Sequence, residues 1–298
     1  VNLKIIELPQ DPIFIVGYPR SGTTLLQGLL VTQNGFFSLP ETHYFNVVYK
    51  VIQTDEEGHI KLDCLDNVFQ KIHEKMSLNF KFSKKKYITR LAQRKRLTPR
   101  ILFEFIVYNY LYNKIGRNPK KHYYWIEKTP NHAYFLDEIY SIYPNAYFLN
   151  IIRHPVPAIF SRKMKLPMNK KKPLDFLANL WIRSVEETEV FARKNPGKLH
   201  SLKYEELTQN PENELKKIGE FLGVKFDLGL ITNHAILSKE FILKTEFWKN
   251  THSEIFNDNS KYLNIIKKPE SEEIESMLVD YMKTYNYKPF FHFNNEKL

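Results

Sequence analysis

Pro12-Ile-Phe-Ile-Val-Gly17-Tyr-Pro-Arg20-Ser-Gly22-Thr23-Thr24-Leu-Leu decides the fold. Ile13 to Val16 are consecutive apolar residues, mostly β-branched, that end at a glycine. Such a run predicts a short strand buried on both faces. Beyond Gly22, Leu25, Leu26, Leu29 and Leu30 recur at helical spacing. Strand, tight loop and helix therefore follow one another. Gly17 and Gly22 carry the G-x-x-x-x-G spacing of a loop that cradles phosphate. In such a loop backbone N–H groups surround the anion, and the positive end of the following helix adds to them.

The same pattern returns downstream. Apolar strands are expected at residues 123–127, 146–152 and 198–203, the first two followed by helices near 131–142 and 156–165. Strands apolar almost throughout, alternating with helices, predict a parallel sheet covered on both faces. Helical patterning at 42–53, 64–78 and 98–114, with few strand signals, predicts a largely helical insertion (44–122) over the ligand end of the sheet. A long amphipathic helix is expected at 175–194 and a shorter one at 211–222, stopped by Gly223. Residues 227–298 read as an irregular polar segment followed by a helix over 272–285. With no internal repeat and no linker, the expectation is one domain over 1–298. Its fold class is α/β, a P-loop-like three-layer fold with a central parallel sheet flanked by helices.

Composition narrows the class. The chain has 298 residues, 43% of them hydrophobic and 26% charged, which fits a globular protein and not a disordered one. Its only cysteine, Cys64, cannot form an intrachain disulfide, and no Asn-x-Ser/Thr sequon occurs. A cytoplasmic, bacterial enzyme is the expectation. No apolar run approaches the ~20 residues of a membrane span. The ten His residues and one Cys show no His-Glu-x-x-His or Cys-x-x-Cys spacing, so no metal is expected. The net charge of +11 can attract nucleic acid, anionic lipid or a phosphorylated ligand. The runs Lys84 to Lys86 and Lys170 to Lys172 read as solvated surface, and a nucleic-acid partner is not expected.

The loop lacks the parts of a nucleotide triphosphatase. Such an enzyme needs Lys and then Ser/Thr after the second glycine. Here Thr23 holds the Lys position, and Arg20 supplies charge inside the loop. The strand at 146–152 ends in Arg153, not in an acidic residue that would hold Mg²⁺. A second anion site is suggested by Arg153-His-Pro155 with Ser161 eight residues on, about two helical turns away. Open parallel sheets bind ligands at that end of their strands.

At this point the residues resemble a family. Pro19-Arg-Ser-Gly-Thr-Thr24 resembles the 5′-phosphosulfate loop of the sulfotransferases, and Arg153-His-Pro with Ser161 resembles their 3′-phosphate motif. Trp125-Ile-Glu-Lys128-Thr-Pro130, Leu202-Lys-Tyr204-Glu-Glu-Leu207 and Phe221-Leu-Gly223 continue the pattern. Ser260-Lys261-Tyr262 and Tyr287-Lys-Pro289 are similar to closing elements of the tyrosylprotein type and its bacterial relatives. The resemblance implies 3′-phosphoadenosine 5′-phosphosulfate (PAPS) as co-substrate. It implies contacts to PAPS from Arg20, Ser21, Gly22, Thr23, Thr24, Arg153, Ser161 and Tyr204, with Lys165 and Lys261 as further candidates.

Glu41 stands 21 residues after Arg20, at the spacing of the catalytic Glu in the tyrosylprotein type. Thr42 is kept, but His43 stands where that type has Arg. Sulfuryl transfer to a hydroxyl requires removal of a proton with a pKa of ~10 in a phenol. A positioned carboxylate accelerates such a step by about 10²- to 10⁴-fold. Glu41 suits that role, while Arg20, Lys128 and the loop amides suit the charge that develops on the sulfuryl oxygens and the leaving phosphate. His43 would orient the acceptor, or replace Glu41 as base as His does in the cytosolic branch. Trp125, Trp181 and Trp248 are candidates for stacking on adenine or for the core.

The function expected is therefore direct in-line transfer of a sulfuryl group from PAPS to a hydroxyl on a small molecule, glycan, lipid or peptide. The alternatives are a P-loop small-molecule kinase and a non-catalytic nucleotide- or nucleic-acid-binding protein.

Overall fold

The computed structural model describes residues 11–76, 82–115, 124–166, 169, 171–239, 255 and 258–291. Strands β1 (Ile13–Val16), β2 (Phe36–Ser38), β3 (Tyr124–Lys128), β4 (Tyr147–Ile152) and β5 (Leu199–Lys203) form one sheet. Their order is β2-β3-β1-β4-β5, and every neighbouring pair is parallel. β1 is central and wholly buried, so both rows of its side chains meet a layer. Ile13 pairs with Ile126 on one side and Tyr147 on the other. Strand order reverses about β1, and in open parallel sheets the ligand crevice lies outside the carboxyl ends at such a point.

Twelve α-helices lie among the described residues. On one face α1 (Thr23–Val31), α8 (Tyr204–Gln209) and α9 (Pro211–Leu222) bury Leu26, Leu30, Leu207 and Ile218 against Ile13, Ile15, Leu149 and Ile151. On the other face, α2 (Leu65–Met76), α3 (Phe82–Gln93), α4 (Pro99–Ile115) and α5 (Leu136–Ile142) share one apolar cluster with Phe14, Val16, Trp125 and Phe148. A third apolar cluster joins α6 (Pro155–Lys165) and α7 (Leu174–Lys194) to α11 (Lys268–Met277) and α12 (Val279–Thr284). The short α10 (His234–Ser238) lies against α1. The central parallel sheet flanked by helices is the expected architecture.

The helices of the insertion also contribute to a core cluster on one sheet face. Several local expectations need correction. The helix expected at 42–53 is instead a π-turn, Tyr44–Val48, followed by a 3₁₀ turn, Tyr49–Val51. His43 precedes them in the left-handed region, φ 50°, which no α-helix continues through. The stretch 131–142 splits into a 3₁₀ turn, Pro130–Tyr134, and α5, because Phe135 leaves helical geometry. The final helix at 272–285 is two, α11 and α12, parted at Leu278. β2 and α3 were not anticipated: β2 is only three residues long, and α3 opens in a lysine run that reads as surface. Trp125 and Trp181 are core residues, and Trp248 lies outside the described residues.

Gly17 closes β1 at φ 139°, where a Cβ would come 2.5 Å from the Ile151 carbonyl oxygen. Backbone cannot yield there as a flexible side chain would. Gly17→Ala is expected to cost about 2–3 kcal/mol, read as a lower urea midpoint. An unchanged midpoint would contradict this packing.

Candidate active site

The glycine loop is shaped by backbone geometry and by what packs beneath it. Gly22 adopts φ 102°, and a Cβ there would meet the Tyr204 ring at 2.5 Å. The loop thus approaches β4, through Ile151, and α8, through Tyr204, as closely as only glycine permits. Arg20 is in the left-handed region, φ 80°, a position unusual for a residue with a Cβ. Ser21 is fully buried, and its hydroxyl has no hydrogen-bond partner within the protein. Thr23 begins α1 and is buried, while Thr24 is half-buried.

Arg20 links the two anion motifs directly. Its Nε donates to Ser161 Oγ at 3.1 Å, and its carbonyl accepts from Arg153 Nη1 at 3.0 Å. Arg153 is only 4% exposed. Its Nε donates to Asn259 Oδ1 at 2.8 Å, and its guanidinium lies 4.3 Å from the Tyr204 ring centroid and 5.8 Å from that of Tyr262. Glu205 gathers the surrounding donors: Asn259 Nδ2 at 2.9 Å, the His154 backbone N–H at 3.1 Å and Tyr287 hydroxyl at 3.2 Å. Trp181 donates Nε1–H to the Arg153 carbonyl at 3.2 Å. His154 caps α6, accepting the Val156 N–H on Nδ1 and donating from Nε2 to the Lys288 carbonyl.

The third group lies where the Glu41 loop meets β3. Lys128 is buried; its ammonium donates to Glu41 Oε1 at 2.7 Å and to Thr24 Oγ1 at 3.5 Å. His43 Nε2 is 3.5 Å from Glu41 Oε2, and Asn46 Nδ2 lies 3.4 Å from His43 Nδ1. With the amide donating to Nδ1, the ring proton belongs on Nε2, facing the carboxylate. Burial pushes the His43 pKa below its ordinary value, against the pull of Glu41.

The structure therefore brings Arg20, Ser161, Arg153 and Tyr204 into one contact network, and Thr24, Lys128, Glu41 and His43 into another. Lys165, one turn beyond Ser161, is exposed, as is Lys261, whose ammonium lies 5.0 Å from the Tyr262 ring centroid. Asn46, Asn259, Glu205, Glu127 and His132 were not singled out as site residues. Glu127 alone carried a sequence signal, as a charge inside an otherwise apolar strand run. The others depend on long-range contacts. Among the described residues, Asp55, Glu57 and His59 bring possible ligand atoms within 4.8 Å, but the ammonium of Lys95 already lies 3.9 Å from Asp55 and 4.0 Å from Glu57.

Residues 12–227 match the sequence pattern of the Sulfotransferase family, and the chain belongs to that family. A Caenorhabditis briggsae protein whose name assigns it to the protein-tyrosine sulfotransferases is 24% identical over 240 residues, which is 78% of this chain and 73% of that protein. The fold is similar to that of the sulfotransferase domain from the curacin biosynthetic pathway, with a TM-score of 0.55 at 21% identity over 92% of this chain and 99% of that one. The sulfotransferase domain of the Synechococcus PCC 7002 olefin synthase gives the same TM-score, 0.55, at 19% identity, covering 93% and 98%. Among the described residues no helix is long and apolar enough to cross a membrane.

Burial pushes the His154 pKa down to about 4, with the Lys288 carbonyl opposing the shift. The unfolded imidazole gains its proton near 6.5, before the native one does. This group thus contributes stability above pH 6.5 that is lost as pH falls toward 4, on the order of 3 kcal/mol in all. His43 and His200 shift in the same direction. Imidazole NMR titration should give His154 a midpoint well below 6.5; a midpoint near 6.5 would contradict the buried neutral ring.

Proposed function

We propose that this chain transfers a sulfuryl group from PAPS to a hydroxyl acceptor, with Glu41 as general base. One observation carries the proposal: the Glu41 carboxylate and the loop hydroxyl of Thr24 share a single buried cation, Lys128. A base for the acceptor and a cation for the transferring group thus form one hydrogen-bonded unit beside an anion-cradling loop.

The loop suits the 5′ end of the nucleotide. The buried Ser21 hydroxyl lacks a protein partner, and α1 directs its N-terminus at the loop. Ser21, Gly22, Thr23 and Thr24 would hold the phosphosulfate. Arg153, Ser161 and Tyr204 would hold the 3′-phosphate end, with Lys165 and Lys261 as further candidates for it. PAPS supplies the activated sulfuryl group. Glu41 accepts the acceptor's proton as the new S–O bond forms and the bond to the 5′-phosphate oxygen breaks, in line. Lys128 and Arg20 offset negative charge on the sulfuryl oxygens and the departing phosphate, which is larger in the transition state than in the ground state.

His43 acts as a hydrogen-bond donor beside the base, because Asn46 faces its Nδ1 and the remaining proton is on Nε2. It orients the acceptor and does not take the proton. The sheet, the 44–122 insertion and the segment from 227 onward serve as one catalytic unit, joined at the site by Arg153–Asn259 and by Phe45–His132. The acceptor is a hydroxyl compound, and phenols and peptidyl tyrosine come first, in view of the name of the Caenorhabditis relative.

Adenosine 3′,5′-bisphosphate (PAP), the desulfonated product, should raise the melting temperature, as a ligand of the native state must. Mg-ATP should raise it less. Equal stabilisation by both, or none by PAP, would overturn the donor assignment.

Glu41→Gln keeps the shape of the side chain and removes its basicity. Its kcat should fall by about 10²-fold or more, with little change in PAP affinity by calorimetry, while His43→Ala loses less. If Glu41→Gln turns over normally and His43→Ala does not, His43 is the base.

A further inference from the structure

All four backbone N–H groups of residues 42–45 end on side chains gathered beneath the Glu41 loop. The Thr42 N–H donates to Thr129 Oγ1 at 3.1 Å and the His43 N–H to the same oxygen at 3.3 Å. The Tyr44 N–H donates to Thr42 Oγ1 at 3.1 Å, and the Phe45 N–H to His132 Nε2 at 3.3 Å. These acceptors in turn donate to one carboxylate. Glu127 Oε1 accepts from Thr42 Oγ1 at 2.7 Å and from Thr129 Oγ1 at 2.6 Å, and Oε2 accepts from His132 Nδ1 at 2.7 Å. Glu127, Thr129 and His132 are fully buried, and Thr42 is nearly so.

The direction of every proton in this cluster is determined. His132 Nε2 must accept, so its ring proton is on Nδ1 and points at Glu127. Each hydroxyl accepts from backbone and passes its own proton to Glu127. Only an ionised carboxylate receives all of these donors. Burial pushes the Glu127 pKa up, but the His132 ring and the hydroxyls of Thr129 and Thr42 outweigh it and hold the pKa below its ordinary value.

What the cluster holds is otherwise unsupported locally. His43 is in the left-handed region, and the π-turn that follows it has no side-chain cap of its own. A helical start with unpaired N–H groups is unfavourable. Apart from Thr42 Oγ1, the cap here comes from the turn after β3. Consecutive loop residues meet consecutive strand residues: Glu41 meets Lys128, and Thr42 meets Glu127. A shift of Thr42 would therefore move Glu41 as well.

We propose that Glu127 and His132, acting through Thr42 and Thr129, are positioning residues that hold the Glu41 carboxylate in its working place. This rests on the assignment of Glu41 as the base. The hydrogen bonds of the cluster run to residues 42–45, not to the loop from Gly17 to Thr24, so its effect is on turnover and not on nucleotide affinity.

Glu127→Gln is the direct test. In either orientation its amide sets a donor against a donor: against a hydroxyl proton, or against His132, which must then move its proton to Nε2 and face the Phe45 N–H. Loss of about 10²-fold in kcat is expected, the scale of a misplacement of about 1 Å, with the calorimetric Kd for PAP within two-fold of the parent. Thr42→Val should lower kcat and Thr42→Ser should restore most of it; this pair decides the matter if Glu127→Gln does not fold. Folded Glu127→Gln and Thr42→Val proteins with parental kcat would overturn the proposal. Independently of activity, ¹⁵N NMR of the parent protein should show the His132 proton on Nδ1, and a proton on Nε2 would overturn it as well. If the parent turns over no hydroxyl compound, the assignment of the reaction fails, and the His132 tautomer still tests the positioning claim.

Discussion

Glu127 and Lys128 are consecutive residues of an inner strand, and both are sealed from solvent. In a strand, neighbouring side chains point to opposite faces, so two buried charges of opposite sign cannot satisfy each other there. Each must find partners on its own side, because an unpaired buried charge costs several kcal/mol. Lys128 finds Glu41 and Thr24; Glu127 finds His132, Thr42 and Thr129. Satisfying these two residues draws the glycine loop, the Glu41 loop and the turn after β3 to one point at the carboxyl edge of the sheet.

A second polar knot forms across β1, at the end of β4. Arg153 is held by Asn259, by the carbonyl of Arg20 and by the Tyr204 ring, and Glu205 brings Asn259 and Tyr287 to the same place. Arg20 belongs to the glycine loop, so the loop lies between the two knots and is fastened to the second through Arg20 and Ser161. Both knots stand on apolar clusters, which keep water from competing for their hydrogen bonds. Fixed donors in such surroundings are the physical means by which an enzyme favours charge that develops during a reaction.

Much of the scaffold was legible in sequence. Four of the five strands were expected within a residue or two, because parallel strands covered on both faces are nearly continuous apolar runs. The glycine loop was legible because its spacing, its preceding strand and its following helix occur together. β2 was not, since three residues give no periodicity, and α3 was hidden by lysines that face solvent. The π-turn was read as a helix because the apolar spacing of Tyr44, Phe45 and Val48 is common to both.

The amino-acid sequence by itself determined the parallel sheet, the glycine loop and the family pattern, all of which are local or repeat at fixed spacing. The tertiary structure alone decided which side chains meet. The pairing of Glu41 with Lys128, the bond from Arg20 to Ser161, and the use of Glu127 and His132 as a cap for a distant loop all join residues far apart in the chain. No pattern of polarity encodes such contacts. They follow from the crossing of strands and loops at one edge, where every buried donor and acceptor must be matched.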